Sequence, residues 1–106
     1  MARTKYSAKK VTIDGITFDS KHEAARYREL CLLQRAGEIS DLELQKRYEL
    51  IPKQGKERAV YYTADFVYKD KDGVEVVEDT KGYKTRDYII RRKLMLWVHG
   101  IKIREC

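Results

Sequence analysis

Apolar and polar positions change rhythm several times along the chain, and each change marks an element. Val11-Thr12-Ile13 and Ile16-Thr17-Phe18 are short β-prone runs flanking Asp14-Gly15, a pair suited to a tight hairpin turn. The period then lengthens. Ser20 is placed to cap a helix that runs to about residue 36, and Gly37 follows as its stop. Tyr27, Leu30, Cys31 and Gln34 share one face of that helix. From Leu42 the rhythm shortens. Leu42, Leu44, Tyr48 and Leu50 alternate with Asp41, Glu43, Gln45, Arg47 and Glu49, which predicts one strand with one buried face. After a polar loop over residues 52–57, residues 59–68 and 74–77 are aromatic and β-branched, and they read as a hairpin around Asp70-Lys71-Asp72-Gly73. A second helix is predicted over residues 85–99, with an apolar stripe at Ile90, Leu94 and Trp97 and a stop at Gly100. Ile101-Lys102-Ile103 reads as a last strand, parallel to the one before the helix through a right-handed crossover.

The core order is therefore helix, three strands, helix, strand, behind a small N-terminal hairpin. This is an α/β fold with a mixed central sheet and flanking helices, in one domain over residues 11–106. Residues 1–10 carry Arg3, Lys5, Lys9 and Lys10 and read as a basic, mobile arm. Charge adds a direction to this picture. There are 23 Lys+Arg against 17 Asp+Glu, for a net charge of +6 and a pI near 9.3, which suits a polyanionic partner. The two cysteines, Cys31 and Cys106, make no disulfide framework, and zinc-type ligand spacing is absent. No apolar run approaches a membrane span, and the N-terminus lacks a signal-peptide core. The expectation is a reducing, cytoplasmic setting with no membrane partner.

The candidate chemistry comes from the hairpin register. A three-residue loop, Lys71-Asp72-Gly73, pairs Asp70 with Val74 and so sets Asp65 opposite Asp79. Side chains opposite each other share a face, with Cβ atoms about 4.5–5.5 Å apart. Lys81, two residues on, shares that face, and Glu78 points to the other. A two-residue loop would shift the register by one and bring Glu78 into the site instead. Paired carboxylates repel unless a cation or proton lies between them. Two carboxylates and an ammonium at a strand end suit a hard metal ion and a scissile phosphate. In a chain that is 38% charged they also suit a solvated Asp–Lys pair.

These residues in this order resemble the PD-(D/E)xK nuclease superfamily, which includes restriction endonucleases, archaeal-type Holliday junction resolvases and the TnsA transposition endonuclease. Residues 19–105 fit its αβββαβ core. Phe18-Asp19-Ser20-Lys21-His22-Glu23-Ala24, Leu42-Glu43-Leu44-Gln45, Tyr62-Thr63-Ala64-Asp65-Phe66 and Val77-Glu78-Asp79-Thr80-Lys81-Gly82 are similar, more narrowly, to a family of small nuclease-like phage proteins. The resemblance implies that Asp65 and Asp79 are metal ligands, that Thr80 lends its backbone carbonyl, and that Lys81 is the catalytic lysine. It matches Glu23 to the first-helix glutamate that, in many members, completes the metal site or positions water. Ala64 stands where the motif's proline would be, and Glu78 beside Asp79 leaves the second ligand open to two assignments.

The resemblance implies Mg²⁺- or Mn²⁺-dependent hydrolysis of DNA phosphodiester bonds. A domain this small favours selection of Holliday junctions or branched DNA by shape, in phage recombination or replication within the host bacterial cytoplasm, with a homodimer cutting two strands. The alternatives are a general end-processing or repair nuclease and a non-catalytic DNA- or protein-binding module. Other readings stay open residue by residue. Ser20 and Glu23 also form a capping box. Lys81 can simply pair with Asp79. His22 and His99 read as exposed helix-end residues, Trp97 as core or half-buried surface, and Arg91, Arg92 and Lys93 as a solvated face. Lys84 and Arg86 stand near the site and, with Lys9 and Lys10, are candidates for phosphate contacts.

Overall fold

The computed structural model describes residues 9–106. Strands β1 (Val11–Ile13) and β2 (Ile16–Phe18) form the expected hairpin, with Ile13 opposite Ile16. Asp14 and Gly15 take φ of 52° and 79°, the left-handed values of the tight turn that an Asp-Gly pair favours. Helix α1 (Lys21–Arg35) is capped by Ser20, whose hydroxyl accepts the Glu23 N–H at 3.1 Å. Its inner face is Ala24, Tyr27 and Leu30, with Cys31 half-buried. Gln34 is exposed, but its side-chain oxygen accepts the Leu42 N–H at 2.9 Å and ties the helix to the next strand.

The strand expected across Leu42 to Leu50 is in fact two. β3 (Ser40–Leu44) and β4 (Arg47–Ile51) part at Gln45-Lys46, where Gln45 takes φ 56°. The partner run breaks at the same level, into β5 (Val60–Thr63) and β6 (Phe66–Lys69), at Ala64-Asp65. The Gln45 N–H donates to the Asp65 carbonyl at 3.3 Å, and the Ala64 N–H to the Lys46 carbonyl at 2.9 Å, so the breaks are held side by side. They also exchange faces. Leu42, Leu44, Phe66 and Tyr68 pack on the α1 side with Phe18, Tyr27 and Leu30. Tyr48, Leu50, Tyr62 and Ala64 pack on the other side with Val67 and Val77. All eight broken-strand positions have even numbers, so the two-residue alternation runs through the break unchanged and conceals it.

β7 (Glu75–Asp79) follows, then α2 (Arg86–His99), capped by Thr85 and ended by Gly100 at φ 67°. The central sheet has the order β3-β6-β7-β8, antiparallel except for β8 (Arg104–Glu105), which runs parallel to β7. The last strand thus lies after the residues expected to form it. Ile103 is instead buried in the approach to the sheet, against Val77 and Met95. The stripe expected on α2 is also corrected. Tyr88 and Met95 face the core, whereas Ile90 is 56% and Trp97 84% exposed. The helix carries two apolar stripes on different sides, and the one that meets Val67 and Val77 is buried. Leu94 packs at the edge of that cluster.

The result is a mixed α/β arrangement, with α1 on one face of the sheet and α2 on the other. Each large apolar side chain buried in the two clusters contributes about 1.5–3 kcal/mol. Among the described residues no helix is long and apolar enough to cross a membrane. Of the basic arm, Lys9 and Lys10 are exposed ahead of β1, and Arg3 and Lys5 lie outside the described residues.

Candidate active site

The loop between β6 and β7 sets the register. The Asp70 N–H donates to the Val74 carbonyl at 3.0 Å, and the Gly73 N–H to the Asp70 carbonyl at 3.0 Å. Gly73 takes φ 78°, which a side chain at that position would resist. The Asp70 carboxylate accepts the Asp72 and Val74 N–H groups, both at 2.9 Å, and so braces the turn. With Phe66 opposite Glu78, Asp65 comes level with Asp79 at the end of the ladder.

Glu78 belongs to the other face. It is fully buried and accepts two hydrogen bonds from Arg26, at 2.8 Å from Nε and 2.6 Å from Nη2. The Tyr68 hydroxyl and the Cys106 thiol also donate to it. Burial alone would raise its carboxyl, but these donors hold it below the ordinary range. Glu78 therefore clamps α1 to the sheet and is not the second carboxylate of the site.

Asp79 is 1% exposed. Its Oδ2 accepts the Tyr62 hydroxyl at 2.7 Å. Its Oδ1 is buried with no hydrogen-bond donor, and the Lys81 ammonium stands 3.7 Å away. Burial pushes the Asp79 carboxyl up to about 6; the Tyr62 bond opposes this, and the charge of Asp65 adds to it. Asp65 is half-buried at the strand break. Its Oδ2 accepts both the N–H and the hydroxyl of Thr80, each at 2.8 Å. Thr80 therefore orients Asp65 through its own donors, a contact the sequence did not foretell. Lys81 also lies over the Tyr88 ring, 5.4 Å from its centre, which limits where its ammonium can go.

Glu23 is buried at the start of α1. Its Oε1 accepts the Asp19 N–H at 3.3 Å, one residue before the cap, so the helix start is closed by both Ser20 and Glu23. Burial and then the nearby Asp65 charge raise its carboxyl to about 7. The three carboxylates thus influence one another. Among the described residues, however, no group of three or more His, Cys, Asp or Glu side chains stands close enough to hold a metal ion as a set. The pair brought together is Asp65 and Asp79, with Lys81 beside them and Glu23 behind.

The basic candidates divide. Lys84 is engaged with Glu105 at 3.1 Å, and Arg86 is exposed at the first turn of α2. Lys9 and Lys10 are exposed ahead of β1. His22 and His99 are exposed, each bonded to a carbonyl, of Cys106 and Glu49 respectively. Tyr62 was not foreseen at the site, because in an unbroken strand its parity sends it to the face away from Asp65. Arg91, expected on a solvated face, donates its Nε–H to the Tyr61 carbonyl at 2.9 Å beside the same cleft as Asp79 and Lys81.

A buried carboxylate oxygen without a donor, next to a second carboxylate, is a place where a cation is favoured. An ammonium nearby can stabilise further negative charge. No curated protein and no solved structure matches the chain. Residues 3–102 match the family described as protein of unknown function (DUF1064), and the chain belongs to that family.

Proposed function

We propose that the chain is a metal-dependent endonuclease acting on DNA. The observation that carries this reading is the Asp79 carboxylate, which is buried, has one oxygen without a donor, and lies level with Asp65 and 3.7 Å from Lys81. The element order supports it. Counting β3 with β4 and β5 with β6 as single bent strands, helix, three strands, helix and strand follow one another, as in the αβββαβ nuclease core.

The donor set fits a hard cation such as Mg²⁺ or Mn²⁺. All its atoms are oxygens, and such ions keep several waters, so few protein ligands suffice. Asp65 and Asp79 would hold it, with the Thr80 carbonyl as a further donor and Glu23 adding negative charge nearby. When bound, such an ion activates water and neutralises charge at the phosphate. The protein's own residues do the rest. Tyr62 occupies Oδ2 of Asp79 and leaves Oδ1 for the ligand. Thr80 does the same for Asp65. Lys81, held between Asp79 and the Tyr88 ring, presents a positive charge to a phosphate oxygen or orients the attacking water.

The substrate reading rests on size and charge. A basic domain of 106 residues with short loops suits phosphate and shape contacts better than base readout. Branched DNA, cut by a homodimer, is the reading that follows. The test is incubation with four-way, duplex and single-stranded DNA, with and without Mg²⁺ or Mn²⁺. Metal-dependent cleavage that Asp79→Ala abolishes without unfolding is the expected result. No cleavage of any form by the folded wild type, or equal cleavage by the variant, overturns the assignment in favour of a binding module.

A further inference from the structure

An open cleft runs from Asp79 and Lys81 along β5 to the first turns of α2, and Arg91 stands in its wall. Arg91 is not free to wander. Its Nε donates to the Tyr61 carbonyl at 2.9 Å, which fixes the plane of the guanidinium and leaves the remaining donors unused. On the other side of the same residue, the Arg47 guanidinium stacks on the Tyr61 ring, 4.0 Å from its centre. One tyrosine thus braces two arginines, through its carbonyl and through its ring.

Neither arginine has a carboxylate partner among the described residues. This contrasts with Arg26 and Arg92, which pair with Glu78 and Glu105. Residues 1–8 contain no Asp or Glu that could supply one. Asp87, exposed at the rim, is the one carboxylate lining the cleft besides Asp79. Glu49, opposite Tyr61 on the strand face that Arg47 shares, and Asp87, one turn before Arg91, form no ion pair with either arginine, so both guanidiniums keep forked donors that match the geometry of phosphate oxygens. Bracing also lowers the side-chain entropy that binding would otherwise cost.

We propose that Arg47 and Arg91, held by Tyr61, form a second phosphate-binding point, which grips the DNA backbone next to the scissile group. This rests on the nuclease reading for the identity of its ligand. The contact is to backbone, so it adds affinity without sequence preference.

The test is binding of labelled duplex and four-way DNA by the full chain in EDTA, followed by fluorescence anisotropy over a range of salt. Arg47→Ala and Arg91→Ala should each weaken binding several-fold on every sequence and lower the salt slope by about 1. Lys71→Ala, which removes the same charge at the tip of the β6–β7 hairpin, is the control and should leave both unchanged. Melting temperatures verify folding, and if Arg91→Ala fails to fold, Arg47→Ala alone decides. Losses no larger than that of Lys71→Ala overturn the proposal. If wild type cleaves DNA and both arginine variants bind normally, this proposal fails and the nuclease reading stands. If wild type binds DNA through these arginines but never cleaves it, the binding point stands and the nuclease reading fails. No DNA binding by wild type at any salt overturns this proposal, and the metal-dependent cleavage test then decides the nuclease reading separately.

Discussion

Asp79 shows how burial and chemistry meet in one side chain. A carboxylate so enclosed titrates late, at about 6 against an ordinary value of 3.8. Between those values the folded protein binds more protons than the unfolded chain. Without metal, its contribution to stability therefore falls as pH rises from about 4 to about 6, by at most about 2–3 kcal/mol. Glu23, raised to about 7 from 4.5, acts in the same direction over a slightly higher window. Asp79→Asn should thus flatten the decline of melting temperature with pH in EDTA, and Mg²⁺ should restore wild-type stability at pH 7.5. Parallel wild-type and variant curves would argue that Asp79 carries no such strain. Glu23→Gln separates two roles of the first helix. Glutamine can still accept the Asp19 N–H, so the melting temperature should change little. Loss of the charge should weaken metal binding and slow cleavage; unaltered metal titration and rates would leave Glu23 a cap alone. The level pairing of Asp65 with Asp79 was readable in the sequence because it depends only on a loop whose Asp70 and Gly73 specify their own turn. Tyr62 was not readable, since its reach to Asp79 requires the strand break.

Among the elements, α2 gives the sharpest contrast between pattern and packing. Its sequence offers Ile90, Leu94 and Trp97 on one side and Tyr88 and Met95 on another, and periodicity alone cannot say which meets the sheet. Met95 is fully buried. Met95→Ala should cost about 2–5 kcal/mol in urea unfolding, and Trp97→Ala should stay within about 0.5 kcal/mol of wild type. The reverse order would mean that the outer stripe is covered in solution. Helix bounds were readable because Ser20, Gly37, Thr85 and Gly100 act through local backbone geometry. The last strand was misplaced for the opposite reason. Ile101 and Ile103 are apolar because they pack beneath α2, while the residues that pair with β7 are the charged Arg104 and Glu105. Burial and strand pairing are different demands, and the apolar pattern reports only the first.

Across the molecule, the Arg26–Glu78 pair joins α1 to the centre of the sheet. Breaking a buried ion pair strands the remaining charge. Arg26→Ala should therefore cost about 3–5 kcal/mol, and replacing both residues by apolar ones should recover much of it. Denaturant midpoints of the two variants check this, and equal losses would show that the arginine's packing matters more than the charge. At the same end of the sheet, level with Asp79, Glu105 holds the C-terminal strand to α2. The Tyr88 hydroxyl, opposed by slight burial and aided by Lys84 and Arg92, lowers its carboxyl to about 2. Its stabilisation is present above about pH 4.5 and is lost as pH falls towards 2. Together these contacts anchor both helices to one sheet whose strands end at the candidate site.

The twin break at Gln45-Lys46 and Ala64-Asp65 has a consequence for how the chain comes apart. The same two polypeptide runs supply apolar side chains to both clusters, first on one side and then on the other. Strands β6 and β7 also face both ways, Val67 and Val77 into one cluster and Phe66, Tyr68 and Val76 into the other, so amide exchange on the two sides should report one shared opening free energy rather than two. The carboxylate of Asp65 sits at the point where they cross. Local loosening there would require most of the fold to loosen with it, and the site inherits the rigidity of both halves.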